Sequence, residues 1–336
     1  MGKLWDGLGV ICIVGLTTAT VAVGAVGAVF PSLKSGWDLR AIVQLEGLNL
    51  PRPQTTGESQ VSLHPIEGSQ VFAVDVEIGE SRGGFLFDTG ASTTMVGSPL
   101  VADLGLVGEE ISGDRVKSAV AGDDCPEMDA TLHRLPTLKM GEAQVMDLQV
   151  LEFANKTIPD GLSGVLGMDV LAEFDLIVNP ETRQLQLLSP SPLPPHLSAT
   201  AIPLKSRLGV MLAEVAIADR GSFTFMLDTG ADTIFISEDL ADRLEIDPAS
   251  RSPVQVLGFC GLEAATLSTL TTVELGTHKL TNLEAVILSS PSVLDMLEVD
   301  GILGQTFFNN YQQYWRFDRR STSSEWGGSL LLNPYR

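Results

Sequence analysis

Two aspartates stand in near-identical surroundings. Phe85-Leu86-Phe87-Asp88-Thr89-Gly90-Ala91 and Phe225-Met226-Leu227-Asp228-Thr229-Gly230-Ala231 each set a carboxylate on a tight turn at the end of an apolar run. A carboxylate among apolar residues is costly to keep unless chemistry needs it. Two of them at hydrogen-bond distance cannot both ionise, so they share one proton and titrate in two separated steps. The ionised member can act as general base on a water while the protonated member donates to a carbonyl oxygen, polarising an amide for attack. Neither a metal nor a covalent intermediate is required. Gly90 and Gly230 let the backbone approach the carboxylates closely and present N–H donors to them.

The elements that must position these turns are themselves duplicated. With an offset of 228 − 88 = 140, Pro99-Leu100-Val101-Ala102-Asp103-Leu104-Gly105-Leu106 faces Asp239-Leu240-Ala241-Asp242-Arg243-Leu244-Glu245-Ile246 without a gap. Leucines at 100 and 104, and again at 240 and 244, have the i, i+4 spacing of a short amphipathic helix. Val165-Leu166-Gly167 and Ile302-Leu303-Gly304 recur 79 and 76 residues (165 − 86 and 302 − 226, counted from Leu86 and Met226) along each copy. Asp169 and Thr306 follow those glycines by two, where an N-cap would open a further short helix. Upstream, Val74–Ile78 and Ala213–Ile217 alternate apolar and polar as half-buried strands do. The chain therefore reads as an internal duplication with one domain per copy.

An apolar strand ending in Asp-Thr-Gly-Ala, followed by a helix, a Gly-containing hairpin and an apolar-apolar-Gly step, resembles the retropepsin-like aspartic proteases. The resemblance covers roughly residues 68–190 and 206–335. It implies a mostly β fold, two retropepsin-like β-barrel domains with short helices, joined as a bilobal pseudo-dimer in one chain. It also implies an aspartic endopeptidase with Asp88 and Asp228 as the catalytic dyad, a peptide or protein substrate and no cofactor. Thr89 and Thr229 would brace the two loops across the interface, or else serve as ordinary turn threonines. In retroviral members the second residue after the motif glycine is often an Asp that holds substrate main chain. Asp232 matches that position and Ser92 does not. Ala91, Ala231, and the flap glycines Gly122 and Gly258 complete the expected substrate-binding set. Pepsin-like relatives carry a flap tyrosine, whereas tyrosine occurs here only at 311, 314 and 335. The retropepsin branch fits better.

Other classes find little support. A net charge of −21 makes nucleic-acid binding unfavourable, because phosphate contacts need clustered Lys and Arg. His64, His133, His196 and His278 are scattered without metal-site spacing and read as surface or loop residues. Cys12, Cys125 and Cys260 are too few for a disulfide scaffold. Cys125 and Cys260 fall in corresponding flap stretches and could bridge across the pseudo-twofold, the alternative being two free thiols.

From Leu8 to Phe30 no residue is charged, so residues 1–30 read as an N-terminal membrane anchor, with a cleaved signal ending near Ala28 as the alternative. An extracytoplasmic catalytic portion is expected. Residues 31–66 read as a stalk, 67–190 as the first domain, 191–205 as a Pro-rich linker and 206–336 as the second domain. A monomer is expected. The competing functional reading is a catalytically silent peptide-binding module of the same fold.

Overall fold

The computed structural model describes residues 35–39, 42–45, 50–111, 116–119, 129–153, 158–258, 261–289, 292–319 and 326–335. Within each repeat a hairpin delivers the aspartate. Phe72–Ile78 pairs antiparallel with Ser81–Phe87, and Val210–Ile217 with Ser222–Leu227, in the registers Val74↔Phe85 and Leu212↔Met226. The apolar ends of these strands are fully buried, with Phe85, Phe87, Phe225 and Leu227 at the centre of the molecule.

A second strand fixes each turn from the side. Gly164–Leu166 runs parallel to Phe85–Phe87 and antiparallel to Met95–Val96. Gly301–Leu303 does the same with Phe225–Leu227 and with Phe235–Ile236. Glycine is required at 164 and 301, where a Cβ would come within 2.3 and 2.5 Å of the Phe85 and Phe225 rings. The expected helices follow at Ser98–Leu104 and Glu238–Arg243, burying Leu100 and Leu240. The first has Pro99 in its opening turn and ends on left-handed Gly105; the second is capped by the Ser237 hydroxyl, which accepts from the Leu240 N–H.

The two lobes share one sheet. Asp175–Asn179 of lobe 1 pairs with Tyr311–Asp318 of lobe 2, in the register Leu176↔Trp315. Gln184–Leu188 and Ser59–Pro65 extend it on one side, Gly327–Pro334 and Ile202–Arg207 on the other. Trp315 is fully buried beneath this seam, its indole N–H satisfied by Gln313 Oε1 at 2.9 Å. Glu173 adds a clamp, accepting from both Arg52 and Arg319.

Several expectations are corrected. The supposed stalk 31–66 contains strands Ser35–Leu39, Ile42–Leu45, Gln54–Thr56 and Ser59–Pro65, and the last two belong to lobe 1 through pairing with residues 144–146, 72–74 and 184–187. The linker 191–205 is shorter than expected, because Pro195–Leu197 forms a 3-10 turn and the strand Ile202–Arg207 has already begun. The short helices Met168–Leu171 and Gln305–Phe308 are capped by Gly167 and Gly304 rather than by Asp169 and Thr306, since the glycine carbonyls already accept the first helical N–H groups. His133 is neither a surface nor a loop residue: it is buried in strand Ala130–Arg134, against Glu152 at 2.8 Å. The segment 1–30 lies outside the described residues, among which no helix is long and apolar enough to cross a membrane.

Candidate active site

Asp88 and Asp228 follow immediately on the buried strands, and each main-chain N–H is anchored to the parallel neighbour, at Leu166 O (3.2 Å) and Leu303 O (3.0 Å). Both side chains are fully buried. Each carboxylate is then met by its own turn. Asp88 Oδ1 accepts from the N–H groups of Gly90 (2.8 Å) and Ala91 (3.0 Å), and Asp228 Oδ1 from that of Gly230 (2.7 Å).

Each glycine also faces the carboxylate of the opposite lobe. A Cβ on Gly90 would lie 2.3 Å from Asp228 Cγ, and one on Gly230 would lie 2.5 Å from Asp88 Cγ. No side chain fits there, so glycine is what lets the two acids meet. Their carboxyl groups lie close enough for each to feel the other's charge. Burial, then the charge of Asp88, push Asp228 well above the usual carboxylate range, against the N–H groups of Gly230 and Gly90.

The threonines cross the interface. Thr89 Oγ1 donates to Leu227 O (2.9 Å) and accepts the Thr229 N–H (3.0 Å), while Thr229 Oγ1 donates to Phe87 O (3.0 Å) and accepts the Thr89 N–H (3.0 Å). All these groups are buried, so the four bonds tie the floor of the site together. Gly167 and Gly304 permit close packing beneath the turns, where a Cβ would come within 2.7 Å of Thr93 C and 2.2 Å of Thr233 O.

The remaining expected site residues are placed differently from one another. Ala91 and Ala231 are fully buried within the apolar clusters of their own lobes, and their carbonyls accept from the N–H groups of Met168 and Gln305. Asp232 is buried too. Its Oδ1 takes the Ser69 hydroxyl (2.5 Å) and the Gln70 N–H (2.7 Å) from the other lobe. Gly258 pairs with Gly261 at the closed end of the hairpin made by Ser252–Gly258 and Gly261–Leu275. Beside it, Leu257 and Leu262 face each other across the strands and are exposed, at 44% and 54%. Gly122, Cys125 and Cys260 lie outside the described residues.

Three contributors were not foreseen. Gln305 is buried and donates to Thr229 O at 2.9 Å, a bond that Met168, in the corresponding place of lobe 1, cannot make. Ser69 sits 19 residues before Asp88, as Gly209 sits 19 before Asp228 (88 − 69 and 228 − 209). A Cβ at Gly209 would meet Ser92 Cβ at 2.9 Å, so Gly209–Ser92 is the counterpart of Ser69–Asp232. Asp169 lies behind the first turn, accepting from the Thr94 hydroxyl (2.6 Å) and N–H (2.9 Å) and from the Val170 N–H (2.9 Å). Burial pushes its carboxyl up to about 6, against those bonds and the Arg319 charge.

Two repeats, each giving one carboxylate turn to a site on a pseudo-twofold axis, define a tandem protein of the retropepsin-like type. The aspartyl protease family model matches residues 74–170 and again 213–307, more than half of the chain, and the chain belongs to that family. It is also similar to a retropepsin-like aspartic protease from Rickettsia conorii, at 18% identity over 40% of this chain and 93% of that one, with a TM-score of 0.29. No curated protein matches it.

Proposed function

We propose that this chain is an aspartic endopeptidase that hydrolyses peptide bonds between its two lobes. The observation that carries the reading is the Asp88–Asp228 pair, two buried carboxylates brought face to face across the opposite lobes' glycines and fed by the main-chain N–H groups of their own turns. The pair holds one proton. Asp228, raised by burial and by Asp88, keeps it, while the Gly90 and Ala91 N–H groups favour the anion of Asp88. Asp88 then draws a proton from the attacking water as Asp228 donates to the carbonyl oxygen. Asp88 passes that proton to the amine nitrogen as the C–N bond breaks, and Asp228 takes back a proton from the gem-diol hydroxyl as the carboxylic acid forms, so water has added across the amide and the pair returns to its starting state.

The exposed Leu257 and Leu262 beside Gly258 suit the roof of a site for apolar peptide side chains. Asp232, Ala91 and Ala231 we assign to holding the turns, because all three are buried and engaged by protein. The uncharged run 8–30 supports a membrane anchor, which extraction of the full chain from membranes by alkali against detergent would test.

The deciding experiment is Asp88→Asn and Asp228→Asn in the full chain, assayed on a peptide library. Each should lower turnover more than 100-fold with the thermal transition retained. Near wild-type turnover in either variant refutes the dyad. A wild-type chain that binds library peptides and cuts none would favour the silent binding module.

A further inference from the structure

The segment ahead of the lobes runs along both flaps. Ser35–Leu39 pairs in parallel with the lobe 2 flap strand Ser252–Gly258, with partners Ser35↔Gln255, Trp37↔Val256, Asp38↔Leu257 and Leu39↔Gly258. Three residues further on, Ile42–Leu45 pairs antiparallel with Val116–Ala119, from Ile42↔Ala119 to Leu45↔Val116. The other edge of Ser252–Gly258 is already taken by Gly261–Leu275, so the segment fills the one that remains.

The two flap strands are equivalent. Ser118 follows Asp88 by 30 residues and Gly258 follows Asp228 by 30 (118 − 88 and 258 − 228). Strands related by a twofold axis perpendicular to them run in opposite directions. A single extended chain crossing that axis must therefore be parallel to one and antiparallel to the other, as observed. The equivalent positions Gly258 and Ser118 pair with Leu39 and Val43, so the two strands engage the two flaps at corresponding points. Val116–Ala119 also comes against the lobe 2 helix Ser292–Leu297, as a flap reaching over the interface does.

We infer that the strands Ser35–Leu39 and Ile42–Leu45 are an internal occupant of the peptide-binding cleft, competing with substrate for the flap edges. The inference rests on the protease reading for the word substrate, and on strand pairing alone for the occupancy. Recognition is by main chain, the addition of an extended segment to open strand edges. A short tether gives such a segment an effective concentration of order millimolar, enough to outcompete ordinary peptides.

The test is made in the full chain with Asp38→Pro, Leu39→Pro, Val43→Pro and Gln44→Pro together. Successive N–H groups in a strand point to opposite sides, so a pair of adjacent prolines removes a flap-facing N–H from each strand whichever side faces the flap. In an Asp88→Asn background, which prevents cutting, amide hydrogen exchange at 116–119 and 255–258 should be at least tenfold faster in the proline variant. With Asp88 intact, the variant should show KM for a reporter peptide at least tenfold lower at unchanged kcat. The synthetic peptide Ser-Gly-Trp-Asp-Leu-Arg-Ala-Ile-Val-Gln-Leu should then inhibit it competitively. Equal exchange in the two chains overturns the occupancy, and an unchanged KM overturns the competition. Faster exchange in a chain that cuts no peptide would instead leave the occupancy standing and remove the protease reading.

Discussion

The hydroxyls of Thr89 and Thr229 each donate to a carbonyl of the opposite lobe and accept the other threonine's N–H, so neither can be lost without orphaning two buried groups. Thr229→Val keeps the shape and strands Phe87 O and the Thr89 N–H. At roughly 1–3 kcal/mol per buried unsatisfied group, the expected loss is about 2–4 kcal/mol by urea unfolding. Thr89→Val should match it, and the double variant should cost less than the sum. A loss under about 0.5 kcal/mol in either would contradict a bracing role.

Gly90→Ala and Gly230→Ala test the close approach of the acids. Each new methyl would sit at 2.3 or 2.5 Å from the opposite carboxylate carbon, so the pair must separate. Turnover should fall at least 100-fold, since shared-proton catalysis depends on that contact. Gly105→Ala is the control, because a Cβ there meets nothing within 4 Å and only its left-handed φ of +59° is strained.

The acid–base window follows from what the turns lack. Ala91 and Ala231 carry no hydroxyl to donate to the anion, and Asp228 is raised by burial and by Asp88. The wild-type kcat/KM profile should therefore reach weakly acidic conditions, roughly pH 5–6.5. Ala91→Ser with Ala231→Ser adds donors that favour ionisation, which lowers the pair's apparent pKa values and moves the alkaline limb toward acid. An optimum near pH 2 in the wild type, or no acid shift in the double variant, would contradict this.

Asp169 gives stability its own pH dependence. Its carboxyl is raised to about 6 in the fold, above the unfolded value, so the folded state binds the extra proton between roughly pH 4 and 6. Stability should fall as pH rises through that window and level off above it. For a largely buried side chain the change is on the order of 1–3 kcal/mol. Asp169→Asn should flatten the melting-temperature profile between pH 4 and 7; a profile unchanged from wild type would refute the assignment.

The duplication, the paired turns and the helices at Leu100 and Leu240 were legible in the sequence because each rests on contacts within a few residues or on an offset of 140. What was not legible rests on distant partners. Ser59–Pro65 looks like polar spacer until its alternate residues are matched to Gln184–Leu187. Asp232 looks like a substrate contact, and its engagement by Ser69 spans 163 positions. The cap at Gly167 was missed for a local reason: Asp169 is a good capping residue, but its carboxylate is drawn to Thr94.

Joining the lobes in one sheet changes what mutation can do. In a homodimer every substitution appears twice at the axis, once on each side. Here Asp232 with Ser69 occupies one flank, while Ser92 with Gly209 occupies the other. A fused chain can alter one flank and leave its mate alone, so the two turns that carry the acids need no longer be braced by the same contacts.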